Sequence, residues 1–172
     1  MKLTRRDTLI LAASASLASS LGLGSAFGQE GTTKDVAKLA AVVIPDKPLG
    51  SETAPVTVIE YASPTCPHCA AFHNNVYPAF KTEYIDTGKV KFVLRPFIRN
   101  VQDAVVFMLA EKAGAEHYHN VIETYFKTQD QWAVAENPRA ALLNVATQLG
   151  YTAESFDVAL TDQDLFKQME AM

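Results

Sequence analysis

The chain has 172 residues, of which 48% are hydrophobic and 20% charged, with 8 Gly, 8 Pro and 2 Cys. That balance suits a single globular domain with a real core, and the lack of any repeat period or biased tract excludes solenoids, collagen-like chains and low-complexity tails. Lys and Arg number 15 against 19 Asp and Glu, for a net charge of −4, and no basic stripe follows the first six residues, which argues against nucleic acid as a partner.

The first 28 residues read as an export signal. Lys2, Arg5 and Arg6 precede a stretch from Leu9 to Leu23 made of Leu, Ile, Ala, Ser and Gly, and Ala26-Phe27-Gly28 supplies small residues at a cleavage site. The apolar stretch is shorter than the roughly 20 residues a spanning helix needs. Thr4-Arg5-Arg6-Asp7-Thr8-Leu9 resembles a twin-arginine leader, with Thr8 where Phe is usual and Ile10 where Lys is common. Twin-arginine and general secretion both stay open. Cleavage after Gly28 removes three basic residues and one acidic one, leaving 144 residues with 12 Lys and Arg against 18 Asp and Glu. The product is an acidic protein in a compartment where disulfides persist, the periplasm.

Residues 29–50 form a lead-in, with an apolar run from Leu39 to Ile44 and then Pro45, Pro48 and Gly50 as punctuation. Val56 to Tyr61 is β-rich and mostly apolar, which predicts a strand covered on both faces, with Glu60 as its oddity. Ser63-Pro64-Thr65 makes a turn. From Cys66 onward, Cys69, Phe72, Val76 and Phe80 fall at helical spacing, with a kink expected at Pro78 and a stop at Gly88. Val90 to Leu94 reads as a second strand, so the segment is a βαβ unit with a parallel pair. After Asn100 the pattern is helical: about 101–113, 116–128, 138–149, 153–160 and 162 to the end. Phe107, Tyr118, Tyr125, Phe126 and Trp132 are expected in that helical core, and His117 and His119 as solvated side chains.

Cys66-Pro67-His68-Cys69 lies at the strand-to-helix turn. Two cysteines so close enclose too small a loop to stabilise the chain, so their purpose is chemical. A cysteine at a helix N-terminus meets free backbone N–H groups and the positive end of the helix dipole, which favour the thiolate. Pro67 suits the first helical position because its missing N–H costs nothing there, and a protonated His68 adds positive charge beside the sulfur. Cys69, one turn inward, is expected to be more buried and to remain a thiol. A pair whose reduced form is favoured in this way is an oxidant.

The segment Ile59-Glu60-Tyr61-Ala62-Ser63-Pro64-Thr65-Cys66-Pro67-His68-Cys69 resembles the active-site segment of the DsbA-like thiol-disulfide oxidoreductases of the thioredoxin superfamily. The likeness runs from about Leu49 to the end. It implies an α/β thioredoxin-like fold over residues 51–172 with a helical insertion from about residue 101. It implies Cys66 as nucleophile, Cys69 as resolving thiol, His68 as stabiliser of the Cys66 thiolate, and Glu60 as a buried acid that assists proton movement. No cofactor is needed. The partners implied are exported proteins with reduced cysteines and a membrane-bound protein that reoxidises the pair. The family's cis-proline opposite the cysteines has no counterpart among the eight prolines, and the pattern stays helical to Met172. The expectation is therefore a first βαβ half and helical insertion without the C-terminal β-hairpin and helix, leaving a strand with exposed backbone and apolar side chains.

Two other classes stand beside this one. Cys66, Cys69 and His73 at i, i+3 and i+7 share a helix face and could hold copper or zinc, although an ordinary surface role suits His73 better and zinc ribbons need a second Cys pair. The short chain could also be a redox-inactive fragment.

Overall fold

The computed structural model describes residues 42–171. Residues 1–28, read above as an export signal, and most of the lead-in lie outside the described residues. Among the described residues the sheet has two strands, β1 (Val56–Ala62) and β2 (Val90–Pro96), paired in parallel with Val56 opposite Val90 and Ala62 opposite Pro96. Their connection carries α1 (Pro67–Asn75), α2 (Tyr77–Phe80) and a single π-helical turn at Lys81–Ile85. The βαβ unit read from the sequence is present. Helices α3 (Val101–Lys112), α4 (Tyr118–Lys127), α5 (Gln129–Trp132), α6 (Pro138–Gln148), α7 (Ala153–Ala159) and α8 (Gln163–Glu170) follow.

The break in the first crossover comes at Val76, two residues before Pro78. A proline ring clashes with the carbonyl four residues back and offers no N–H, so the first helix ends ahead of it and Pro78 sits in the opening turn of α2. The buried stripe also differs from the expected one. Ala70, His73 and Tyr77 are buried, whereas Val76 is 52% exposed.

Helix α3 forms the centre of the helical part, with Ala104 and Val106 to Ala110 all buried. It packs against α4, α6, α7 and α8, and α4 packs in turn on α1. Phe107, Tyr118, Tyr125, Phe126 and Trp132 are all buried here as expected, and the Trp132 indole donates to the Tyr125 carbonyl at 2.9 Å. The helix starts follow local chemistry: Asn100, Asn137, Thr152 and Asp162 each accept a backbone N–H from the first turn.

The expectation of a first strand covered on both faces is corrected. Val56, Ile59 and Tyr61 are exposed by 37–51%, because among the described residues β1 pairs along one edge only. The second strand is the internal one. Leu49 forms an antiparallel bridge to Phe92 on its other side, and Phe92, Val93, Leu94 and Arg95 are buried. Gly50 makes this approach possible: its φ of +92° lies in the left-handed region, and a side chain there would run into the Val90 carbonyl. Arg95 ties the lead-in down by a two-point bond to Asp46, at 2.9 and 2.8 Å, and donates to the Tyr61 hydroxyl at 3.0 Å. His119 is not a solvated side chain either. Its Nε2 meets the Lys47 carbonyl at 2.6 Å, and burial lowers its pKa.

Candidate active site

The strand β1 ends at Ala62, and Ser63-Pro64-Thr65 turns the chain, with the Cys66 N–H donating to the Ser63 carbonyl at 2.9 Å. Cys66 is the N-cap of α1 in extended conformation, φ −81° and ψ 118°, and Pro67 takes the first helical turn. Both cysteines are free thiols, and both are half-buried.

The two sulfurs sit in opposite environments. Burial acts to raise the Cys66 pKa, but hydrogen bonds from the Cys69 N–H and thiol and from the His68 N–H, together with the charge of Arg99, outweigh it. Cys66 falls below the ordinary value of 9.0. Cys69 moves the other way. It is raised first by burial, against a backbone hydrogen bond from Ser63, and then by its bond to the Cys66 sulfur and by the negative charges of Cys66 and Glu60. The His68 effect expected from the sequence is that of a protonated imidazole. The side chain is exposed, and the contribution seen here is its backbone N–H.

A polar network that sequence reading missed holds the turn. Asp103, fully buried in the first turn of α3, accepts from the Ser63 hydroxyl at 2.9 Å, the Thr65 N–H at 2.8 Å and the Arg99 N–H at 3.0 Å. The Arg99 side chain reaches back to Ser63 Oγ at 2.9 Å and to Thr65 Oγ1 at 3.1 Å. Asn100, besides capping α3, donates to Thr65 Oγ1 at 2.9 Å. From α5, Gln129 donates to the carbonyls of Pro64 and Cys66 at 2.6 and 3.0 Å. The cysteine turn is thus bolted to the helical part at both ends. The local signal was an Asn-x-x-Asp helix start, which discloses a cap but not a partner some 40 residues away.

Glu60 lies on β1 with its side chain 18% exposed, and its Oε2 meets His73 Nε2 at 3.0 Å. His73 is correspondingly not a surface residue: its side chain is 2% exposed and its ring stacks on Phe126 at a centroid distance of 4.3 Å. The carboxylate in an apolar strand has a partner, as its burial requires. Among the described residues no three His, Cys, Asp or Glu side chains converge to hold a metal ion, so the grouping of Cys66, Cys69 and His73 as ligands has no geometric support. Nor is any helix among them long and apolar enough to cross a membrane.

Residues 44–172 match the family model described as thioredoxin. A Rickettsia bellii protein named as a protein-disulfide oxidoreductase is 35% identical over 130 residues, covering 73% of this chain and 49% of its own. Its Rickettsia prowazekii counterpart is 36% identical over 124 residues, covering 70% and 44%. The chain spans about half the length of these curated relatives. Among solved structures, Wolbachia pipientis alpha-DsbA1 superposes with a TM-score of 0.69 at 31% identity, covering 77% of this chain and 68% of that one.

Proposed function

Because the chain belongs to the thioredoxin family, as a DsbA-like member, we propose that it is a thiol-disulfide oxidoreductase that donates a disulfide to exported proteins through Cys66 and Cys69. A substrate thiolate attacks the Cys66 sulfur of the oxidised pair, the Cys66–Cys69 bond breaks, and Cys69 leaves and takes up a proton. A second substrate thiolate then attacks its own sulfur in the mixed disulfide and releases Cys66 as a thiolate. Two electrons pass to the pair, which a membrane-bound partner removes. No cofactor enters.

The observation that carries this reading is the opposed pull on the two thiols. A Cys66 held down is a good leaving group and favours the reduced form, which makes the disulfide oxidising. A Cys69 held up is a poor lingering nucleophile once protonated, so the mixed disulfide lasts long enough for substrate to finish. Pro67 leaves the sulfur's neighbouring N–H groups undiverted, His68 supplies one of them, and Glu60 takes and returns the Cys69 proton. Export rests on the leader over residues 1–28.

The test is oxidation of a reduced dithiol peptide by the purified chain. Cys66→Ser and Cys69→Ser should both lose transfer, since neither can carry the disulfide. When given the disulfide-bonded form of the peptide, Cys69→Ser should accumulate a mixed disulfide visible by mass, its Cys66 thiolate having attacked that bond, whereas Cys66→Ser should not. Equal and complete absence of the mixed disulfide in both variants refutes the roles.

A further inference from the structure

The Glu60–His73 pair leads away from the cysteines toward a second polar feature. His73 Nδ1 and the Tyr77 hydroxyl are both buried and have no hydrogen-bond partner among the described residues, and their rings lie 4.8 Å apart. A buried polar atom left without a partner costs free energy that water reaching it would recover. Both residues line one cleft of about 430 Å³, with Asn74, Lys81, Glu123 and Lys127 around them. That is room for several waters beside groups able to bind them.

The charged and titratable groups around His73 come from every element packed on it. Glu60 faces it from β1, Tyr77 from α2, and Glu123 and His119 from α4, both electrostatically coupled to it. Lys81 and Lys127 stand on the cleft wall. Glu60 also bears electrostatically on the Cys69 thiol. An imidazole between two carboxyl groups can accept a proton at one nitrogen and release it from the other.

We propose that His73 carries the Cys69 proton between Glu60 and the cleft lined by Tyr77 and Glu123, as a positioning residue for disulfide exchange. The inference rests on the exchange reading above. When the reduced pair is reoxidised, Cys66 thiolate attacks an incoming disulfide and expels one thiolate. With its proton on Nδ1, His73 takes at Nε2 the proton that the Glu60 carboxyl shares with it as Nδ1 releases one to water in the cleft, with Glu123 at its exposed rim. The Glu60 carboxylate so formed takes the Cys69 proton, and Cys69 attacks the Cys66 sulfur, expelling the second thiolate. In the opposite direction the same path reprotonates Cys69 as it leaves.

The test times ring closure in the reduced full chain after oxidised glutathione is added, as the release of the second glutathione against pH, in H2O and D2O. Wild type is compared with His73→Gln, which keeps a hydrogen-bonding group toward Glu60 but cannot relay. Assistance by an acid–base group is typically worth ~10²-fold or more, and a residue acting through Glu60 is expected to contribute about tenfold of it. Closure in His73→Gln should therefore slow about tenfold below the pH at which Cys69 ionises unaided, lose its solvent isotope effect, and converge on wild type above that pH. A folded His73→Gln with the wild-type pH profile overturns the relay. If that variant does not fold, Glu123→Gln, at the exposed rim, decides by the same criterion. Failure of the wild-type chain to form a mixed disulfide at all overturns the exchange reading instead.

Discussion

Asp103→Asn is the most informative single change to the frame of the site. The carboxylate is fully buried and receives two backbone N–H groups, one on each oxygen: Thr65 on Oδ1 at 2.8 Å and Arg99 on Oδ2 at 3.0 Å. The Ser63 hydroxyl is shared between both oxygens at 2.9 Å. An amide keeps the shape but has only one oxygen, so in either flip its NH2 faces an N–H donor. One buried donor is then left unpaired and confronts another, at a cost of about 1–3 kcal/mol, and the loss of charge assistance to the remaining bonds pushes the total toward the upper end. Asp103→Ala orphans both N–H groups and should cost more, about 3–5 kcal/mol by analogy with a buried polar pair stripped of one partner. Equilibrium urea unfolding of the reduced protein measures both. An Asp103→Asn variant within ~0.5 kcal/mol of wild type, the range of an ordinary surface substitution, would refute the claim that this carboxylate holds the cysteine turn.

Arg99→Gln should raise the Cys66 pKa by removing the cation beside it, measured as thiolate absorbance against pH, and should make the pair less oxidising. His68→Ala retains the donated N–H, so the rise it produces measures the imidazole alone and should be smaller than that of Arg99→Gln. The reduced protein should become more stable as pH rises toward 9.0. The Cys66 pKa is depressed in the folded state, so its contribution is fully present above the ordinary value of 9.0 and is lost as pH falls through the lowered one; the raised Cys69 works against stability only above 9.0. Urea midpoints of the reduced protein against a Cys66→Ala control check the sign, and a midpoint falling with pH below 9.0 refutes it. Gly50→Ala should destabilise by about 1–3 kcal/mol or more, because φ +92° strains a side chain and the Cβ meets the Val90 carbonyl; a neutral thermal midpoint would show that this turn can move.

Local chemistry determined much of this protein from the sequence alone. A β-rich run, a Cys-Pro-His-Cys turn and a helical repeat set the parallel βαβ unit and put Cys66 on a helix N-terminus, since backbone N–H exposure and the fit of Pro67 depend only on neighbours in the chain. The helix starts at Asn100, Asn137, Thr152 and Asp162 were legible for the same reason. What depended on distant partners was not. Val76 and His73 exchanged their expected places, because Glu60, 13 residues earlier, and Phe126 on α4 make a buried site that suits an imidazole better than a valine. The covered strand proved to be β2, since Leu49 and β1 flank it while β1 has one partner among the described residues. Arg99, Asp103 and Gln129 entered the site only because α3 and α5 pack against the cysteine turn. Hydrogen bonds that bridge 30 to 65 residues leave no periodicity, so only the tertiary structure could disclose which carboxylate anchors the turn and which cation bears on the sulfur.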